Sequence, residues 1–446
     1  MIEWINRYVL GTTVPFLLIG AGLFFGFRLG WFHLLHPIRV LRALTKKREA
    51  GGVSPFRALT LALAGTLGVG TIVGVSAASS MGGFGAGFWM WISALCAMIL
   101  KYAEIVLAMK HRRFDREGKP HGAAMYYIRD CFARLGWRRL GGGIAAVFAL
   151  LCIMNAVTMG SVIQVSAVTD AMEGVFRIPP WVTGGSLAVL AWLVIRRGTE
   201  GMIGLTERLV PLMTLGYLLL SAAVLIVRAD RIPDAFLSIL TGAFRTDAAI
   251  GGIGGFFLSA GVRYGTMRGL VSNEAGCGTA PAAHAVSACR VPAEQGIGGI
   301  VEVFTDTILL CTVTALVILV SWGDVVARDG EFMMMTITAY SSVLGQPAAI
   351  FMSVAVLFFG FATVVCWAHY GLESADYLSK KPICRRGFVW LYVGSVLLGA
   401  FAASEWIWQS ADFAIGAMTV INVTVLCLMN REVKEETDGW LHRKRK

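Results

Sequence analysis

The sequence predicts an all-α integral membrane protein of eleven transmembrane helices, forming one domain over residues 1–446. Composition is the first reason: 56% of residues are hydrophobic, 15% are charged and the mean hydropathy is +0.68, whereas soluble chains carry about 25% charged residues. The second is that apolar runs of about 20 residues, enough to cross a bilayer, follow one another along the whole chain. That leaves no room for a soluble domain of ordinary size. The third is a collection of glycines inside two of those runs, where a helix would normally avoid them.

The apolar segments fall near 8–27, 54–80, 84–109, 142–169, 181–197, 201–227, 250–271, 297–322, 346–370, 387–403 and 408–429. The run from Val9 to Phe27 has no basic stretch before it and no small-residue cleavage site after it, so it is expected to stay as the first membrane helix. Two shorter pieces do not span: amphipathic 123–132, expected at the inner surface, and 332–340 on the outer side.

The formal charge of +11 does not point to nucleic acid, because the basic residues are dispersed in loops. Arg28, Arg39, Arg42, Lys46, Lys47, Arg48 and Arg57 lie between the first two segments, opposed by Glu49 alone. This loop is therefore assigned to the cytoplasm, and counting spans from it places the N-terminus outside and the Arg443-Lys-Arg-Lys446 tail inside. The protein is expected in the plasma (bacterial inner) membrane, as a monomer.

Gly65, Gly68, Gly70 and Gly74 crowd the second segment, and Gly251-Gly-Ile-Gly-Gly255 opens the seventh. A glycine inside a helix costs roughly 1 kcal/mol relative to alanine, so clusters at membrane depth imply helices broken on purpose. With the first helix set aside, the two glycine-interrupted helices are first and sixth of ten. That is the pattern of a five-plus-five inverted repeat, 54–227 and 250–429, with a midplane site between the breaks and a basic tail at 430–446. Half-helix N-termini there would face an anionic group, and loosened carbonyls a cation or ammonium.

The fourth segment carries a polar stripe of Asn155, Thr158, Ser161, Gln164, Ser166 and Thr169 at helical spacing, read equally as interhelical bonding and as pathway lining. Lys101 and Glu104, three apart, could pair. Glu302 and Asp306, four apart, are like charges whose repulsion and desolvation would keep one protonated if both are buried, which makes them the proton-handling candidates. The nine cysteines form no Cys-x-x-Cys pair, and His284 and His369 lack a second ligand, so no metal site of this kind is expected. Walker, zincin and nucleophile-elbow motifs are missing, which argues against an ATP-driven pump and the common membrane hydrolases.

Two passages resemble a known family. Gly82-Gly-Phe-Gly-Ala-Gly-Phe-Trp-Met-Trp91, followed by Lys101-Tyr-Ala-Glu104, is similar to the signature of the alanine or glycine:cation symporters. So is Arg263-Tyr-Gly-Thr-Met-Arg-Gly-Leu-Val-Ser-Asn-Glu-Ala-Gly-Cys-Gly-Thr-Ala-Pro281. Weaker matches at 121–128, 206–213, 306–312 and 367–371 extend the resemblance over nearly everything from about residue 50 onward. It implies a leucine-transporter-like fold that alternates access around an amino-acid site and couples to sodium, in some members to protons. No enzyme activity and no cofactor are implied.

This sequence departs from the family where binding would occur. Thr71 stands where an asparagine is usual, Ser161 and Ser166 replace two more, and Ala362-Thr363 replaces two adjacent hydroxyl residues of a sodium site. The expectation is a cation-coupled importer of a small neutral amino acid such as alanine or glycine. Its substrate would be held by Gly70, Thr71, Gly74, Ser161, Gln164, Gly252, Gly254 and Gly255. The cation would be held by Gly68, Thr71 and Thr363, and Glu302, Asp306, Asn273 and Glu274 would gate or couple, the stretch Ser272-Asn-Glu-Ala-Gly276 being assigned to the inner gate because the span count puts it on the cytoplasmic side. The lost amides and Ala362 keep open an amino-acid sensor or uncoupled carrier; a membrane enzyme would rest only on Glu104, Glu302 and Asp306.

Overall fold

The computed structural model describes residues 2–38, 52–244, 260–324, 332–401 and 405–443. In chain order the helices are α1 Gly11–Arg28, α2 Pro55–Thr66, α3 Val69–Gly82, α4 Ala86–His111, α5 Ala124–Arg134, α6 Arg138–Val157, α7 Ile163–Phe176, α8 Pro180–Ile195 and α9 Gly198–Val227. They continue as α10 Ile232–Ala243, α11 Ala260–Asn273, α12 Ala280–Ala285, α13 Pro292–Val303, α14 Thr312–Val320, α15 Phe332–Leu344, α16 Gln346–Leu378, α17 Pro382–Leu398, α18 Glu405–Leu428 and α19 Asn430–Arg443. The strands β1 Arg113–Phe114 and β2 Pro120–His121 pair antiparallel between α4 and α5.

Among the described residues seven spans are long and apolar enough to cross a membrane, and eight once the bent pair α2–α3 counts as one. The predicted eleven is not reached by this measure for a local reason. α8 and α17 have 16 and 17 residues, and the predicted seventh segment is described only from Ala260. The amphipathic piece at 123–132 is α5, and the short outer piece is α15.

Helix boundaries follow local chemistry. Ser54 accepts the Arg57 amide at 3.2 Å and Pro55 opens α2 where a missing N–H costs nothing. α6 runs into α7 through π-helical Thr158–Val162, and α13 into α14 through π-helical Phe304–Cys311. α4 is the central post: 89% of its most apolar stretch is buried, against 28% for α9, whose Leu212, Leu215 and Leu219 are exposed. Around α4 pack α1, α11 and α13.

Candidate functional site

The break between α2 and α3 is narrower than the glycine run suggested. Only Leu67 and Gly68 leave helical geometry, and the two half-helices meet at 41°. The groups they free are taken up by distant side chains. Gln164 Oε1 accepts the Val69 amide at 3.0 Å, and Thr363 Oγ1 donates to the Ala64 carbonyl at 2.8 Å. A Cβ at position 68 would lie 2.6 Å from Thr363 Oγ1, so only glycine lets these two side chains close over the break.

A cavity of about 690 Å³ opens on one side of this break. Gly70 and Gly74 of α3, Gln164, Ser166 and Thr169 of α7 and Val271 of α11 are on its wall, and it extends to Met81 and Glu405 at the helix ends. Arg268 is its basic residue, with the guanidinium 5.7 Å from the centre of the Trp408 ring.

Thr71 turns to the opposite side. Its hydroxyl donates to Asp306 Oδ1 at 2.7 Å, the Ser272 hydroxyl lies 2.8 Å from both Asp306 oxygens, and Thr307 Oγ1 donates to Oδ2 at 2.8 Å. The Thr66 carbonyl, at the negative end of α2, lies 3.2 Å from Thr71 Oγ1. Asp306 is wholly buried, and among the described residues no cationic side chain is paired with it. An uncompensated carboxylate in a dry interior is costly, so this set of oxygens suits a hard cation or a proton.

Glu302 and Asp306 are not the mutual pair their spacing suggested. π winding begins at Phe304, between the two acids, and each has its own partners. Glu302 instead lies 3.1 Å from Lys101 Nζ and 3.1 Å from His284 Nε2, all three with no exposed surface. Nor do Lys101 and Glu104 pair with each other. Lys101 Nζ donates to the Asn273 carbonyl at 2.7 Å, while Glu104 Oε1 accepts from the Gly278 amide at 3.1 Å and from Asn422 Nδ2 at 2.6 Å.

These contacts define a second interruption. Between α11 and α12, Glu274 (φ 53°), Gly276 (φ 88°) and Gly278 (φ 80°) take left-handed geometry, and Thr279 Oγ1 donates to Glu274 Oε2 at 2.6 Å. Asn273 holds it from within, its Oδ1 accepting the Ala275 amide and its Nδ2 donating to Thr307. Gly252, Gly254 and Gly255 lie outside the described residues. Ser161 is buried away from the cavity, bonded to Ser395 at 2.7 Å. Sequence reasoning read 272–276 only as a gate, although Asn-Glu-Ala-Gly-Cys-Gly carries the turn residues of a break.

Two helices interrupted side by side, one flanked by a cavity and the other meeting it at a buried carboxylate, define a secondary transporter of the leucine-transporter-like class. The fold agrees with solved structures. MhsT in complex with L-phenylalanine aligns with TM-score 0.54 at 15% identity, over 88% of this chain and 93% of that one. The Eremococcus coleocola manganese transporter with a bound bis-isothiourea compound aligns with TM-score 0.54 at 14% identity, over 86% and 81%.

The chain belongs to the sodium:alanine symporter family, whose family model matches residues 1–446. It is a multi-pass membrane transporter and not an enzyme. It is 36% identical over 450 residues to an uncharacterised transporter of Haemophilus influenzae, covering 98% of this chain and 95% of that one. It is 33% identical over 449 residues to the sodium/alanine symporter AgcS of Methanococcus maripaludis, covering 99% and 96%.

Proposed function

We propose that the protein imports a small neutral amino acid, alanine or glycine, together with sodium, by alternating access around the α2–α3 break. The amino acid rests on the floor of the cavity against Gly70, Gly74, Val271 and Gln164, with its carboxylate toward the N-terminus of α3. Sodium sits where the Thr66 carbonyl, the Thr71 and Ser272 hydroxyls and the Asp306 carboxylate converge. The Asp306 cluster is the observation that carries this reading, because all its donors are oxygens and among the described residues no cationic side chain bonds to it. Ala64 O and Thr363 Oγ1 form a second oxygen pair across the break.

The eleven-span topology, N-terminus outside and tail in the cytoplasm, belongs to the same proposal, as does division into repeats 54–227 and 250–429. Its support is the basic loops and the apolar, short α8 and α17. Ala362, buried beside Thr363 without a hydroxyl, favours a second reading: an amino-acid sensor or carrier that does not use a sodium gradient.

Purified protein in liposomes should accumulate labelled alanine or glycine under an inward sodium gradient. Uptake indifferent to the gradient would sink the symport reading in favour of the second. Asp306→Asn should abolish sodium-dependent uptake and sodium-dependent thermal stabilisation together; sodium dependence unchanged in this variant would move the cation elsewhere.

A further inference from the structure

Away from the transport site, two clefts of about 570 and 500 Å³ meet at the start of α6. Arg138 and Arg139 line both. Trp137 and Leu140 flank them in one cleft, Arg129 and Tyr377 in the other. Neighbouring cations on this side of the molecule have acids: Arg113 pairs with Asp130 at 2.7 Å, Arg134 with Glu432 and Arg385 with Asp376. Arg138 and Arg139 are exposed and have no acidic partner among the described residues. Two unpaired guanidinium groups side by side are a strong locus for a phosphate.

What continues from these arginines decides the source of that phosphate. α6 begins a span of 39 residues whose most apolar 18 have mean hydropathy 2.1, so Arg138 and Arg139 stand at the boundary between water and hydrocarbon. Below them Leu140, Gly143, Val147 and Leu150 are all exposed, spaced three, four and three apart, and so lie on one face of the helix. On this face Gly143 carries no side chain, and a Cβ added there would meet nothing within 4 Å, which leaves a shallow groove between Leu140 and Val147 below the charged cleft. Trp137, 59% exposed, sits at the level where indole rings favour the lipid interface. The N-terminal amides of α6, without a side-chain cap from Trp137, add partial positive charge at the same place. A soluble phosphate would use the arginines and leave the groove idle.

We propose that this surface binds an anionic phospholipid. The phosphate lies between Arg138 and Arg139, the headgroup fills the clefts beside Trp137 and Tyr377, and an acyl chain follows the groove over Gly143 toward Leu150. The proposal does not depend on where the amino acid or the cation sits.

The test is lipid retention by the full-length protein in detergent, read by native mass spectrometry with phosphatidylglycerol or phosphatidylcholine supplied. Wild type should retain phosphatidylglycerol preferentially. Each arginine near an anionic lipid surface is worth about fivefold in affinity, so Arg138→Gln with Arg139→Gln should weaken retention roughly thirtyfold. Gly143→Leu, which fills the groove and leaves the charges, should weaken retention of both lipids. All these positions are exposed, and an unchanged thermal midpoint in phosphatidylcholine confirms that the variants are folded. Equal retention of the two lipids, phosphatidylglycerol held normally by the double variant, or displacement by inorganic phosphate alone would each overturn the proposal.

Discussion

Gly68→Ala tests the geometry of the first interruption with a single methyl group. Gly68 has φ −102° and ψ −164°, extended geometry that alanine adopts without strain, so the effect must come from contacts. The new Cβ would lie 2.6 Å from Thr363 Oγ1, 3.0 Å from Gln164 Oε1 and 3.3 Å from Thr363 Cγ2. Neither neighbour can simply withdraw. Thr363 Oγ1 is held by the carbonyls of Ala64 at 2.8 Å and Phe359 at 3.0 Å, and Gln164 spans from the Val69 amide to the Met159 carbonyl. Overpacking costs about 1–3 kcal/mol, and each hydrogen bond lost adds about 1 kcal/mol. The stiffer unfolded chain returns about 0.4–1 kcal/mol, leaving a net loss of roughly 2–3 kcal/mol. Denaturation of the purified protein should show this loss, and uptake should need more sodium. Adding Thr363→Ala removes two of these three close atoms, including the closest, and leaves only Gln164 Oε1, so the double variant should be more stable than the sum of the two single effects by about 1–2 kcal/mol, without recovering sodium dependence. Wild-type stability and wild-type sodium dependence in Gly68→Ala would refute the reasoning.

Two other perturbations follow from a buried ion pair and from a half-buried histidine. Lys101→Met leaves Glu302 without its ammonium partner in a site closed to water, which should cost about 3–5 kcal/mol, and Glu302→Gln in the same chain should restore part of it; a fully stable single variant would show that no ion pair forms. In the β1–β2 hairpin, His121 Nδ1 lies 2.9 Å from Glu373 Oε2 and Nε2 lies 3.6 Å from Asp115 Oδ2, while Lys380 acts in the opposite sense. The hydrogen bond to Glu373 raises His121 above its ordinary 6.5 against partial burial. A raised value means that the charged form stabilises the fold fully below about 6.5, and that this is lost as pH rises through the raised value. Wild type should therefore lose thermal stability above pH 6.5 relative to His121→Gln, and parallel pH profiles would contradict the hairpin contact.

The parts of the molecule legible in the sequence are those written in local chemistry. Apolar length gave the membrane helices, and the glycines around Gly68 gave the first break, because both effects act within a few residues. Depth was harder. Ser272 was placed at a gate by counting spans, yet its hydroxyl is 2.8 Å from Asp306. The Thr71–Asp306 contact joins residues 235 apart, and no periodicity encodes such a meeting. The reading of Glu302 and Asp306 as a repelling pair rested on their spacing alone. The structure gives Glu302 the ammonium of Lys101 and the ring of His284, and Asp306 the hydroxyls of Thr71, Ser272 and Thr307. What an acid meets is set by the elements packed against its helix, which spacing along one helix does not encode.

The two interruptions are held in different ways, and the difference bears on coupling. Lys101 and Glu104, one turn apart on α4, take opposite ends of the second break. The ammonium meets the Asn273 carbonyl at the negative end of α11, and the carboxylate meets the Gly278 amide just before α12. Each charge faces the complementary backbone dipole, so α4 braces this break without help from any ligand. Among the described residues the first break has no such brace at Asp306, where the hydroxyls of Thr71, Ser272 and Thr307 supply the hydrogen bonds. On the proposed site, a cation reaching Asp306 must turn the hydrogens of Thr71 and Ser272 away and take their lone pairs instead. One ion would then act on α3 and α11 at once, against a part of α11 that Lys101 keeps fixed. Differential affinity of this kind is what allows a bound ion to bias one conformation over another.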